Sequence, residues 1–353
     1  MQNEWRDDEA RAVEQAAGDN PADRDLALRV YTSRLIGGQR DLVMHGGGNT
    51  SVKVQRRDRY GELRPVLHVK GSGWDLAPIR EAGLPGLWLE PLLRARSFDA
   101  LSDEDMVALQ RSLLLDPASP NPSVETLLHA FLPHTFIDHT HATAMLALAA
   151  QPDAEAICAN LFGDRVAIVP YVMPGFALAK LAAEVFERNP DVEGMLLLKH
   201  GHFTFGPSAK ASYDRMIAHV TAVEEAIGRP AAPAGVRLEA APGTVQALPR
   251  IRRALAGDAG ALPVLDLRRT AASDAFLARP DVADLATRGV ATPDHVIRTK
   301  RFPLVVDAAA VADDAALAAA TAAYRAAYVA VFDRQQRRTG PKTMLDPSPR
   351  VVW

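Results

Sequence analysis

Hydrophobic positions recur at helical spacing over Asp7–Ala17 and Asp25–Leu35, which predicts two N-terminal helices. The spacing then shortens. Leu42–Met44 and Ser51–Val54 read as strands on either side of the glycine turn in DLVMHGGGNTSVKVQ, and VLHVKGSGWDLAPI repeats the theme of strand followed by glycine loop. SDEDMVALQRSLLL starts a helix with Ser102 as cap and acids in its first turn. SVETLLHAFLP starts similarly at Ser123 and stops at Pro133. Phe136–His141 then reads as a strand and Ala142–Ala149 as a helix. RVAIVPYVMPG is a strand and turn, ALAKLAAEVFERNP a helix, and EGMLLLKHGHFTFG a strand pair around Gly201. AKASYDRMIAHVTAVEEAIG is a helix that ends at Gly228.

The pattern breaks after Gly228. RPAAPAGVRLEAAPG is rich in Pro, Ala and Gly and reads as a linker or covering loop. Beyond it the chain predicts a helix (Val245–Leu255), a strand (Val264–Leu267), a helix near Asp281–Thr287 and a strand (Phe302–Val306). A long helix from about Asp313 to Arg338 follows, with Gly340 after its stop. Alternating strands and helices give a layered α/β class. The expected division is residues 1–228 as the main domain and 229–353 as an extension packed on it, itself α/β.

Composition changes this picture little. A chain of 353 residues with 48% hydrophobic and 24% charged positions is long enough for one large domain plus an appendage. A net charge of -3 supplies no global pull toward nucleic acid or an anionic membrane. The single cysteine, Cys158, cannot form an internal disulfide. The first residues, MQNEWRDDEARAVEQ, lack the apolar stretch of a secretory signal. The Ala-rich run Ala308–Ala330 is interrupted by Asp313, Asp314, Thr321, Tyr324 and Arg325, so no membrane span is expected and cytoplasm is the default location.

The candidate chemistry begins at DHTHATA. Residues two apart on a strand share a face, about 6.5–7 Å apart, so His139 and His141 can converge on one cation. Two histidines satisfied by backbone would have the same spacing. LLLKHGHFTFG offers His200 and His202 as a third ligand, and spacing does not choose between them. Glu125 lies where a general base could sit, or where a helix start takes an acid for its dipole; His129 shares its face. The loops Gly46–Ser51 and Gly71–Gly73 could offer backbone N–H groups to phosphate. Neither is a Walker A loop or a dinucleotide fingerprint, so no NAD binding by this polypeptide is expected.

GGGNTS, KGSG, PSVETLLHAF, DHTHATA and LLKHGHFTFG, in this order, resemble the class II aldolase/adducin family. Within it the chain looks most like the aldolase half of bifunctional rhamnulose-1-phosphate aldolase/short-chain dehydrogenase proteins, over about residues 25–350. The resemblance implies a three-layer αβα sandwich. It implies His139, His141 and His200 as ligands of a divalent metal, zinc first, and Glu125 as catalytic acid/base. Asn49, Gly71, Ser72 and Ser123 match its phosphate-holding loops. Tyr171 does not align with the tyrosine proton donor of some members and reads as pocket wall or core. The implied reaction is cleavage of a ketose 1-phosphate, such as rhamnulose 1-phosphate, to dihydroxyacetone phosphate and an aldehyde. The metal would act as Lewis acid while Glu125 moves the proton. A sugar-phosphate epimerase or decarboxylase is the alternative on the same scaffold. A non-catalytic adducin-like module is the third reading, and its mark would be lost ligands. The resemblance also implies a homo-oligomer, a tetramer by analogy, and a fused or separate short-chain dehydrogenase. The chain would then be the aldolase part of a longer design. In TPDHVIRTKR, Arg298, Lys300 and Arg301 could contact phosphate or a neighbouring subunit, or form a solvated basic turn.

Overall fold

The computed structural model describes residues 1–228, 239, 242–256 and 262–353. Most of the Pro/Ala/Gly-rich segment expected as a linker lies outside them. Seven strands form one sheet: β1 (Asn49–Arg57), β2 (Leu63–Val69), β3 (Gly86–Trp88), β4 (Phe136–Thr140), β5 (Val166–Val169), β6 (Gly194–Leu197) and β7 (Gly201–Gly206). Their order is β3-β2-β1-β4-β7-β6-β5, and every neighbouring pair is antiparallel except β5 with β6.

Side chains alternate across this sheet, and two hydrophobic clusters record the alternation. Val66, Phe136 and Leu196 enter one cluster, while Leu67, Ile137, Met195, Leu197, Phe203 and Phe205 enter the other. The helices Pro21–Gly38 and Ala209–Ile227 supply Leu26, Ile36, Met216 and Val220 to the first. Thr126–Phe131 and Phe176–Arg188 supply Leu127, Leu128, Leu178 and Ala182 to the second. A sheet buried on both faces under helices is the expected three-layer αβα sandwich.

Local signals account for several boundaries. The Ser102 hydroxyl accepts from the Asp105 N–H, and Gly228 ends its helix in the left-handed region, φ 65°. Others differ from expectation. Leu42 and Val43 are buried but form no strand; both N–H groups turn back to the Gln39 carbonyl, so an apolar run fills the core from a loop. The helix after Ser123 is short, Thr126–Phe131, because Ser123 closes a turn of its own. Its hydroxyl accepts from the Glu125 N–H at 3.2 Å and its carbonyl accepts from Thr126. Glu125 therefore flanks the helix and does not lie in its first turn.

The chain divides into two compact units. One holds Met1–Gly228 with Ala291–Asp294, the other Arg229–Val290 with His295–Trp353. Among the described residues the second unit is helical. Val264–Leu267 forms no strand, and Val264 is exposed. Phe302–Val306 makes only one isolated parallel bridge, Leu304 with Val352. Leu304 and Val306 donate to the Val351 and Trp353 carbonyls, and Trp353 to the Leu304 carbonyl, a pairing too short to make a ladder. The helix Asp314–Thr339 is long and apolar enough, by length and composition, to cross a membrane, and little of it is buried. Lys300 stacks on Tyr328 and donates to the Asp346 carbonyl at 2.5 Å, while Arg301 covers Phe302. Two of the three cations of the basic turn are thus held within that unit; Arg298 is exposed.

Candidate functional site

Register decides which histidines meet. β4 pairs with β7 so that His139 lies opposite Phe203 and Thr140 opposite His202. Opposite residues share a face. His139 therefore stacks on Phe203, ring centroids 4.1 Å apart, and His202 faces the other way. On that side His202 meets His219 at 3.0 Å, and His219 meets Glu193 at 3.0 Å. His202 is therefore not the third member of the cluster. His200, in the tight β6–β7 turn, is. Ligand atoms of His139, His141 and His200 all lie within 4.8 Å of one another. The turn carries Lys199 at φ 57°, a left-handed conformation uncommon for a residue with a Cβ.

His141 lies one residue past the end of β4 and still converges with His139, Nε2 to Nε2 3.1 Å. The hydrogen bonds behind the rings assign the protons. His139 Nδ1–H donates to the His202 carbonyl at 3.2 Å, and His141 Nδ1–H donates to Asp294 Oδ2 at 2.8 Å. A neutral imidazole protonated on Nδ1 carries a lone pair on Nε2. Two lone pairs thus face each other at 3.1 Å. Glu125 adds acceptors, with Oε2 3.3 Å from His139 Nε2 and Oε1 3.2 Å from His200 Nε2. Glu125 Oε1 and His200 Nδ1 are buried without a hydrogen-bond partner. Lone pairs of His139 and His141 that converge beside the Glu125 carboxylate are what a cation requires, and imidazole nitrogens suit zinc and its neighbours. The residues fit the metal that the family implies.

Electrostatics couple Glu125 to the imidazoles around it. Burial opposes the charge on Glu125, but the His139, His200 and His141 imidazoles outweigh it and hold the carboxyl well below its usual range. Burial is the main cause that pushes His139 well below the usual histidine value, against the pull of Glu125.

Glu125 is aimed by a buried chain of hydrogen bonds. Ser51 Oγ–H donates to His129 Nδ1 at 2.7 Å, and His129 Nε2–H donates to Asn49 Oδ1. Asn49 Nδ2 then donates to Glu125 Oε2 at 2.6 Å and to Ser123 Oγ at 3.0 Å. Asn49 and Ser123, expected at a phosphate, thus also hold Glu125. The Gly71 N–H goes to the Gly83 carbonyl at 2.8 Å and the Ser72 N–H to the Asn121 carbonyl at 2.7 Å. Those two amides do not offer the anion nest expected of the loop; the Ser72 side chain is exposed. Tyr171 is 55% exposed and is not a core residue. The sequence reading missed Ser51, Asp294 and the role of His129. His129 was legible as a face-mate of Glu125; Asp294, 153 positions from His141, had no local signal.

The sandwich and its histidine cluster define an α/β domain with a candidate cation centre. The chain belongs to the class II aldolase/adducin family, whose members are generally lyases. Residues 27–227 match the Class II Aldolase and Adducin N-terminal domain, and residues 243–353 match the domain described as Aldolase class II, second domain. The N-terminal class II aldolase domain of a conserved protein from Thermoplasma acidophilum is similar in structure. It is 40% identical with a TM-score of 0.57, covering 64% of this chain and 99% of that one. The uncharacterized oxidoreductase YuxG of Bacillus subtilis is 35% identical over 294 residues. The match takes in 79% of this chain but spans only 42% of that relative's length.

Proposed function

We propose that this chain is the aldolase part of a metal-dependent class II enzyme. It cleaves a ketose 1-phosphate to dihydroxyacetone phosphate and an aldehyde, and rhamnulose 1-phosphate is the first substrate to test. The convergence of His139, His141, His200 and Glu125 on one point carries the reading. The three histidines would hold the cation, zinc first. When bound, it supplies Lewis acidity toward the substrate carbonyl. Glu125 returns a proton to the carbon left electron-rich when the bond breaks, and takes it in the reverse direction. Asn49 keeps Oε2 of Glu125 aimed, and His129 and Ser51 keep Asn49 in place. The exposed Ser72 hydroxyl is the remaining phosphate contact of its loop.

The reading extends to a cytoplasmic homo-oligomer, a tetramer by family resemblance. It also extends to a dehydrogenase, fused or separate, that acts beside the aldolase. The relative's oxidoreductase name and its greater length support that partner.

Glu125→Gln tests the reading, because it preserves shape and removes the basic oxygen. Metal content and melting temperature should stay near wild type while cleavage of rhamnulose 1-phosphate falls by roughly 10²–10⁴. Full metal with normal turnover would end the assignment. Epimerisation without release of dihydroxyacetone phosphate would replace it with the alternative chemistry.

A further inference from the structure

We propose that Asp294 is a positioning residue of the cation site, holding the tautomer and ring orientation of His141; this rests on the metal reading above. His139 is held by its strand and by the His202 carbonyl. His141 stands beyond the strand end, where no ladder fixes its ring. Its outer nitrogen instead meets Asp294 Oδ2 at 2.8 Å. A carboxylate only accepts, so it keeps the proton on Nδ1 and leaves Nε2 free for the metal. Of the three imidazoles, this is the one with a carboxylate behind it; His200 Nδ1 is buried without a partner.

Two further observations point the same way. Asp294 is 6% exposed, whereas an acid that merely decorates a helix start is solvated. The four residues Ala291–Asp294 group with the unit that carries the histidines, although the chain on both sides does not. Gly47 leaves the space. A Cβ there would lie 2.4 and 2.6 Å from the two Asp294 carboxylate oxygens, its three nearest atoms being all from that side chain. The Gly47 backbone lies outside the left-handed region, so room for Asp294 is what glycine supplies there.

The experiment uses the full chain, stripped of metal and titrated with cobalt(II). Affinity is read by competition with a chelating dye, and geometry by the cobalt visible bands. Asp294→Asn presents an amide that can donate to Nδ1 and so favour the wrong tautomer. It should weaken cobalt binding by about 10–100-fold and shift the bands, with the melting temperature of the metal-free protein near wild type. Gly47→Ala displaces the carboxylate without removing it and should move both readouts in the same direction, which keeps the test available if Asp294→Asn folds poorly. His139→Ala, a ligand variant, should lose cobalt altogether. Unchanged affinity and bands in both Asp294→Asn and Gly47→Ala, beside loss in His139→Ala, would overturn this inference and leave the metal reading standing. Earlier unfolding with unchanged cobalt affinity per folded molecule would make Asp294 a stability residue and overturn it too. A wild-type chain that takes up no cobalt would overturn both.

Discussion

Replacing Gly201 by alanine would put a methyl carbon 2.6 Å from His139 Cε1, 2.7 Å from the Thr140 carbonyl oxygen and 3.0 Å from His141 Cδ2. Carbon atoms pack at about 3.5 Å, so the first contact is short by about 0.9 Å. The Thr140 carbonyl belongs to β4 and moves little. The strain therefore falls on the His139 ring, which is already sandwiched against Phe203 at 4.1 Å. Overpacking of this kind costs about 1–3 kcal/mol. A displacement near 1 Å at a reacting centre costs on the order of 10² in rate. Gly201 does not lie in the left-handed region, so the backbone itself accepts alanine and the effect isolates the contact. Gly38 is the control, since a Cβ there meets nothing within 4 Å. Gly38→Ala should be neutral or stabilise by about 0.4–1 kcal/mol. Urea unfolding, zinc content and cleavage rate would be measured on both variants. Gly201→Ala with wild-type zinc affinity and turnover would refute the placement of these rings around a shared cation.

The same geometry sets other outcomes. Asp138 and Arg29 are a wholly buried pair at 2.5 Å, so Asp138→Asn leaves an uncompensated guanidinium and should cost about 3–5 kcal/mol in urea unfolding; a loss below about 1 kcal/mol would contradict the pairing. Burial pushes the His129 imidazole from its ordinary 6.5 down to about 3. Between those values the unfolded chain holds a proton that the folded chain lacks, so the contribution of neutral His129 is full above pH 6.5 and is lost as the pH falls toward 3. In His129→Gln the slope of stability against pH in that window should drop by up to about 1.4 kcal/mol per unit, and an unchanged slope would show that His129 titrates alike in both states. Zinc at a hundred times its dissociation constant should stabilise the chelator-stripped protein by about 2.7 kcal/mol, and a melting temperature indifferent to zinc would count against the site.

Much of the sandwich and part of the site could be read along the chain, because they depend on neighbours in sequence. Period-two spacing put His139 and His141 on one face, and that convergence survives even though the strand stops at Thr140. Ser102 and Gly228 mark helix ends by hydrogen bonds and backbone freedom that span only a few residues. Apolar runs were a weaker guide, because burial does not say what the backbone does. Leu42 and Val43 fill the core from a loop, and Val264 finds no ladder.

What tertiary structure decided are the facts that depend on register and on distant chain. Pairing of Thr140 with His202 turned that imidazole to the far face and left His200 to the cluster, a choice that spacing of two could not make. Asn49 reads as a loop residue in GGGNTS, yet opposite His139 in β1 its amide also holds Glu125. The Gly71 and Ser72 amides resemble an anion nest in sequence, but their hydrogens already belong to carbonyls brought from elsewhere in the chain. Asp294 comes to His141 from 153 residues away. Sequence sets local geometry through torsions and short-range hydrogen bonds. Which lone pair finally faces which proton depends on packing that brings together residues with no spacing in common.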